Sequence, residues 1–234
     1  MSIKNFRTKI RYICGLLNAI SSISATFPRG ALVSYKLDGT DKNVSVTGAE
    51  YIWSSCFGKV LSFTSRKQRA DIPRLWLEKY EKFSITLFIN VNRFKDQMIF
   101  YDIGKAQNFA IRIDHTNKLR IEEYVMTNRK MYYVREYFPS GWHLISVTKD
   151  RSHFKCYIDG KSLKLKRNNY RSKRKRPVGS YKRLSHFGCG SCSSNLFFIG
   201  TVAQFLAFPY ILSEEQVKTM YHIQSMHRCT AILN

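Results

Sequence analysis

Basic side chains crowd one stretch of this chain. Lys161, Lys164, Lys166, Arg167, Arg171, Lys173, Arg174, Lys175, Arg176, Lys182 and Arg183 follow one another, and no acid occurs between Asp159 and Glu214. Lys164-x-Lys166-Arg167 and Lys173-Arg174-Lys175-Arg176 are dense enough to span several sulphates or phosphates, with arginine making bidentate contacts. Tyr170 and Tyr181 flank the clusters and offer faces for stacking on sugars or bases. The predicted polyanion-binding set is therefore Lys164, Lys166, Arg167, Tyr170, Arg171, Lys173, Arg174, Lys175, Arg176, Tyr181, Lys182 and Arg183. A block of like charge repels itself and is best tolerated beside a polyanion. The plainer alternative is a solvated loop that keeps the chain soluble.

A second constellation is His186-x2-Cys189-x2-Cys192, which could fill three corners of a zinc tetrahedron, with Cys56, Cys156 or His153 as the fourth. A disulfide or unpaired thiols are the alternatives. The six cysteines, Cys14, Cys56, Cys156, Cys189, Cys192 and Cys229, permit three disulfides but lack the spacing of a small stapled scaffold, so the redox compartment stays open. Glu122 and Glu123 are the one adjacent acid pair in a strand-like stretch. Adjacent residues point to opposite faces, so the two carboxylates cannot work together. No Ser-His-Asp spacing stands out, and no catalytic residue is predicted.

The elements that position these groups are β-strands. Ile85, Leu87, Ile89 and Val91 alternate with polar residues, as do Phe109, Ile111 and Ile113, then His143, Ile145 and Val147, then Phe154, Cys156 and Ile158. Period two in runs bounded by Gly, Asn, Asp or Pro marks half-buried antiparallel strands. Val33 to Leu37 reads likewise, and shorter candidates lie at 60–63, 98–101, 119–125, 131–134, 196–199 and 202–208. One helix is expected, where Ser213 and Gln216 form a capping box before the stripe Val217, Met220 and Tyr221. Asp159-Gly160 predicts a tight hairpin turn. The expected fold is all-β, a two-sheet antiparallel sandwich with a short C-terminal helix.

Composition bounds the rest. A net charge of +23 with 44% hydrophobic residues describes a folded, strongly basic protein, not a disordered tail. No apolar run is long enough to span a membrane. Residues 1–30 read as a basic targeting segment, secretory or organellar, or as a retained arm. Residues 31–225 form the predicted sandwich, interrupted by a basic insertion at 161–195, and 226–234 form a tail.

Gly141-Trp142-His143-Leu144-Ile145-Ser146-Val147, followed by Phe154-Lys155-Cys156-Tyr157-Ile158-Asp159-Gly160-Lys161, resembles the paired strands of laminin-G-like domains in the concanavalin A-like lectin and glucanase superfamily. Met98-Ile99-Phe100-Tyr101-Asp102, Asn108 to Ile113, Phe198-Ile199-Gly200 and Ile211 to Val217 are similar to further pieces in the same order. The resemblance implies a jelly-roll sandwich. It also implies a rim calcium site, for which Asp102 and the weaker, uncharged Asn108 are the matching positions. Otherwise no cofactor is expected. The closely spaced Glu and Asp of the superfamily's glucan hydrolases are absent from this sequence.

The expected function is a non-catalytic binding module, secreted, holding a sulphated glycan or acidic protein surface through its basic insertion. The alternative is a structural subunit of an organellar ribonucleoprotein or a virion that contacts RNA or another nucleic acid. Asn43-Val44-Ser45 is the only N-glycosylation sequon, and its occupancy would mark secretion.

Overall fold

The computed structural model describes residues 28–92, 96–103, 107–125, 128–171, 184–189 and 196–226. Among them are sixteen strands: β1 Val33–Tyr35, β2 Ser45–Thr47, β3 Glu50–Ser54, β4 Gly58–Phe63, β5 Arg69–Pro73, β6 Lys82–Val91, β7 Gln97–Ile103, β8 Gln107–Ile113, β9 Lys118–Val125, β10 Asn128–Tyr137, β11 Trp142–Asp150, β12 His153–Ile158, β13 Lys161–Leu163, β14 Leu165–Arg171, β15 Leu184–Phe187 and β16 Gly200–Phe208. A short 3-10 turn spans Leu77–Lys79, and the α-helix α1 spans Glu214–Met226. No described helix is long and apolar enough to cross a membrane.

The strands form two eight-stranded antiparallel sheets. The first runs β13-β12-β11-β6-β16-β4-β3, with β1 beside β16, and the second runs β14-β10-β9-β8-β7-β15-β5-β2. Alternation explains their packing, because each strand turns every second side chain inward. Ile85, Leu87, Ile89 and Val91 of β6 meet Phe109, Ile111 and Ile113 of β8 in the main core, together with Phe100, Phe187 and Phe205. Full burial of each such side chain contributes about 1.5–3 kcal/mol. Cys156 is a free thiol in this core, and burial pushes its pKa up to about 12.

The outer face of the first sheet is covered by α1. Val217 and Met220 pack with Phe88, Leu144, Tyr157 and Leu206, and Trp142 joins this layer against Phe57 at 4.6 Å. The capping box forms as expected. Ser213 N–H donates to Gln216 Oε1 at 2.9 Å, and Gln216 N–H donates to Ser213 Oγ at 3.1 Å. The Asp159-Gly160 turn links β12 to β13 with φ of 52° and 76°. A Cβ on Gly160 would stand 3.0 Å from Lys218 Cα, so this turn seats the helix closely.

Two expectations change. Residues 161–195 are not one loop: β13, β14 and β15 fall inside that span, and β15 lies within the second sheet. β14 was hidden by its charge, because an edge strand buries little and carries lysine and arginine on its open side. Residues 196–199 are not a strand, and only Phe197 makes an isolated bridge, to Cys189.

Candidate functional site

The second sheet turns one face to the core and one outward. On β9, Leu119 and Ile121 point inward, which sends Arg120, Glu122 and Tyr124 outward. On β8 the same alternation sends out Asn108, Ala110 and Arg112, and on β10 it sends out Arg129, Met131 and Tyr133. Register then assembles two cross-strand rows. One runs Lys166, Tyr133, Arg120, Arg112 and Met98 across β14, β10, β9, β8 and β7. The neighbouring row runs Asn168, Met131, Glu122, Ala110, Tyr101, His186, Asp71 and Ser45 across all eight strands.

Where the rows meet, three arginines converge on Glu122. Arg112 Nη1 donates to Glu122 Oε1 at 3.2 Å and to Oε2 at 3.4 Å. Arg129 Nη2 donates to Oε1 at 2.5 Å. Arg120 Nε lies 2.6 Å from Oε1 as an ion pair without hydrogen-bond alignment. The Tyr124 hydroxyl donates to Oε2. The Glu122 side chain is 0% exposed, against 5% for Arg112, 10% for Arg120 and 22% for Arg129. Burial pushes the Glu122 pKa up, but Arg112, Arg120 and Arg129, with the Tyr124 hydroxyl, outweigh it and hold the carboxyl below its ordinary range. Burial and the adjacent Glu122 charge push the Tyr124 phenol up.

The charge in this cluster does not balance. One carboxylate faces three guanidiniums, and the next acid, Asp96, reaches Arg112 Nη2 only at 3.8 Å from a 41% exposed position. The Nε atoms of Arg112, Arg120 and Arg129 are buried without a hydrogen-bond partner. Buried cations left unmatched are costly. Beside the cluster on the same face, Lys166 and Asn168 of β14 are exposed and Tyr133 is half-buried, whereas Arg167 takes the other pleat, opposite Tyr132.

Glu123 turns the other way, as alternation requires. It pairs with Lys149 of β11 at 2.7 Å and with Lys130 at 3.2 Å, tying the two sheets together. Lys149 also lies over the Phe83 and Phe154 rings.

The predicted residues fare unevenly. Lys164 is exposed between β13 and β14, Lys166 and Arg167 are exposed on β14, and Tyr170 and Arg171 end that strand, in register with Arg129 and Asn128. Lys173, Arg174, Lys175, Arg176, Tyr181, Lys182, Arg183 and Cys192 lie outside the described residues, as do most of residues 1–30 and the tail beyond Met226.

The two candidate calcium residues fall on opposite faces of the sheet. Asp102 points inward, accepting from Leu77 N–H at 3.3 Å and from the Ser185 hydroxyl, and burial pushes its pKa up. Asn108 points outward and donates to Tyr101 Oη at 3.1 Å. Opposite pleats keep the two oxygens apart. Of the candidate zinc residues, Cys192 lies outside the described residues. Cys189 is disulfide-bonded, as is Cys56, so its sulfur is no thiolate, and His186 packs edge-on against Tyr101. Among the described residues no group of three His, Cys, Asp or Glu side chains is placed to hold a metal ion.

No protein-family model matches this chain, and the search of curated proteins found no match. Solved structures do match. Domain 4 of a GH43 extracellular arabinanase from Geobacillus stearothermophilus, solved with arabinotriose, is 14% identical with a TM-score of 0.60, over 82% of this chain and 98% of that one. A botulinum neurotoxin type C structure, titled for cell entry through two ganglioside molecules, is 14% identical with a TM-score of 0.57, over 83% and 51%. The receptor-binding domain of botulinum neurotoxin type G is 14% identical with a TM-score of 0.59, over 84% and 52%. This chain thus spans nearly all of the arabinanase domain and about half of the toxin chains. At such identities the likeness concerns architecture, and the architecture is a jelly-roll β-sandwich.

Proposed function

We propose that this protein is a non-catalytic, laminin-G-like binding module that holds an acidic glycan on the outer face of its second sheet. The unbalanced arginine cluster around Glu122 carries this reading. A sulphate or carboxylate entering beside Arg129 would find guanidinium donors already held in place, so little ordering is needed on binding. Lys166 on β14 shares that outer face, and the run Lys173-Arg174-Lys175-Arg176 follows this strand in the sequence. A glycan is the preferred polyanion because structures of the same architecture were solved with arabinotriose or named for gangliosides. An extracellular location goes with that reading, since the arabinanase domain is from an extracellular enzyme. A hydrolytic role finds no support at the acid pair: Glu122 is held ionised by arginines, and Glu123 lies on the opposite face, paired with Lys130 and Lys149.

The test is a salt series with heparin, a neutral oligosaccharide of equal length and a structured RNA. Heparin should bind, and its affinity should fall steeply with salt as counterions are released. Replacing Lys173, Arg174, Lys175 and Arg176 with Ala should make that slope shallower by roughly three to four units. Arg129→Ala should weaken heparin binding further with little effect on the slope contributed by the run. Equal binding of both variants and wild type at every salt concentration would exclude the basic face. Preference for RNA over heparin would redirect the reading to nucleic acid.

A further inference from the structure

At the opposite edge of the second sheet, β2 ends the strand order among the described residues. Its first residue, Ser45, belongs to the sequon Asn43-Val44-Ser45. Asn43 is exposed in the turn that leads into β2, a turn closed by Val44 N–H donating to Asp41 O at 3.3 Å. The Asp41 carboxylate steadies the turn by accepting from Leu37 N–H at 2.7 Å. An acceptor asparagine must present its side-chain amide clear of the folded surface, and this one does.

The surface beside it is hollow. Asn43 lies on the rim of a groove of about 480 Å³ lined by Ser45, Thr47, Arg69, Asp71, Pro73 and Leu184. Register places Ser45 opposite Asp71 and Thr47 opposite Arg69, so hydroxyls, a carboxylate and a guanidinium share the outward face. Arg69 Nε donates to Asp71 Oδ2 at 2.9 Å across it. Such a lining matches a pyranose, whose hydroxyl and acetamide groups need donors and acceptors while its C–H face needs apolar contact. Pro73 and Leu184 supply that contact.

We propose that Asn43 is N-glycosylated and that the first N-acetylhexosamine of its glycan docks in this groove. This rests on the extracellular reading above. In the attachment step the Asn43 Nδ2–C1 bond forms and the C1–O bond to a polyprenyl-diphosphate oligosaccharide donor breaks. The lipid diphosphate leaves, and the amide proton passes to a base of the transferase. The docked sugar covers the outer face of an edge strand and blunts its capacity to pair with other chains.

The full chain is secreted from a eukaryotic host, once behind its own N-terminus and once behind a heterologous leader, with a second sequon on a C-terminal tag as an internal control. Intact mass and peptide N-glycosidase treatment should show Asn43 occupied. Asn43→Gln and Ser45→Ala should abolish its glycan, and Ser45→Thr should keep it. In the native protein, glycosidase release at Asn43 should be about tenfold slower than at the tag, reflecting a protected, docked sugar. Thr47→Trp, which fills the groove, should keep the glycan and bring the two rates together. An empty Asn43 behind the leader, with the tag occupied, overturns the site. Equal release rates in the wild type overturn the docking. Glycosylation behind the leader but not behind the chain's own N-terminus overturns the extracellular reading instead.

Discussion

Glu122 holds three cations with one charge, so removing that charge is not a small change. Glu122→Gln keeps the shape but leaves Arg112 and Arg120 buried without their carboxylate, at a cost of about 3–5 kcal/mol. Urea denaturation at neutral pH measures it, and a loss under about 1 kcal/mol would mean that the cluster is already neutralised by other means. The pH dependence has a definite sign. The folded pKa of Glu122 lies below its unfolded value, so its contribution is complete above roughly pH 4.3 and disappears as pH falls through the folded value. The variant should therefore show a flatter acid limb than wild type. Arg120-x-Glu122-x-Tyr124 was legible as one face of a strand, and so was the separation of Glu122 from Glu123. Arg112 and Arg129 were not legible as partners, because their approach depends on the register of β8 and β10 against β9.

Elements with a local signal were read well from the chain. The capping box of α1 and the Asp159-Gly160 turn depend on residues three or fewer positions apart, and both form. Ser213→Ala should lower stability by about 1 kcal/mol, since Gln216 N–H loses its acceptor at the helix start. Thermal denaturation with Ser213→Asn as a control checks this, because asparagine caps about as well as serine. The elements that escaped were the short or charged strands β2, β3, β5, β13, β14 and β15. β14 carries Lys166, Arg167 and Asn168 exposed, so its apolar alternation is nearly absent. What makes it a strand is its ladder with β10, running from Val134↔Leu165 to Asn128↔Arg171. Backbone pairing with a distant partner leaves little mark on composition.

For the molecule as a whole, the proposed anion site and the proposed glycan lie toward opposite edges of the second sheet. β14 and β2 lie at opposite ends of eight strands, which places them about 34 Å apart at ordinary strand spacing. That exceeds the screening length of about 8 Å at physiological salt several-fold. A glycan on Asn43 should therefore leave heparin affinity unchanged within about twofold. Titrating glycosylated and enzymatically stripped protein side by side measures this, and a larger difference would mean that the two ends share one ligand track. The net charge of +23 was legible from the start, but its division between an exposed edge and a buried cluster was not. That division follows from which strands become neighbours.

Cys156 offers a clock for one end of the sandwich. Its thiol is fully buried in the core on β12, which is flanked by β11 and β13, and a pKa of about 12 keeps it protonated. Alkylation needs the thiolate and an open path. β12 has only the three-residue edge strand β13 outside it, so modification of the Cys156 peptide counts openings that lift β12 off the core as well as those that part the two sheets. The slow chemistry of one sulfur thus records how often this end of the sandwich opens.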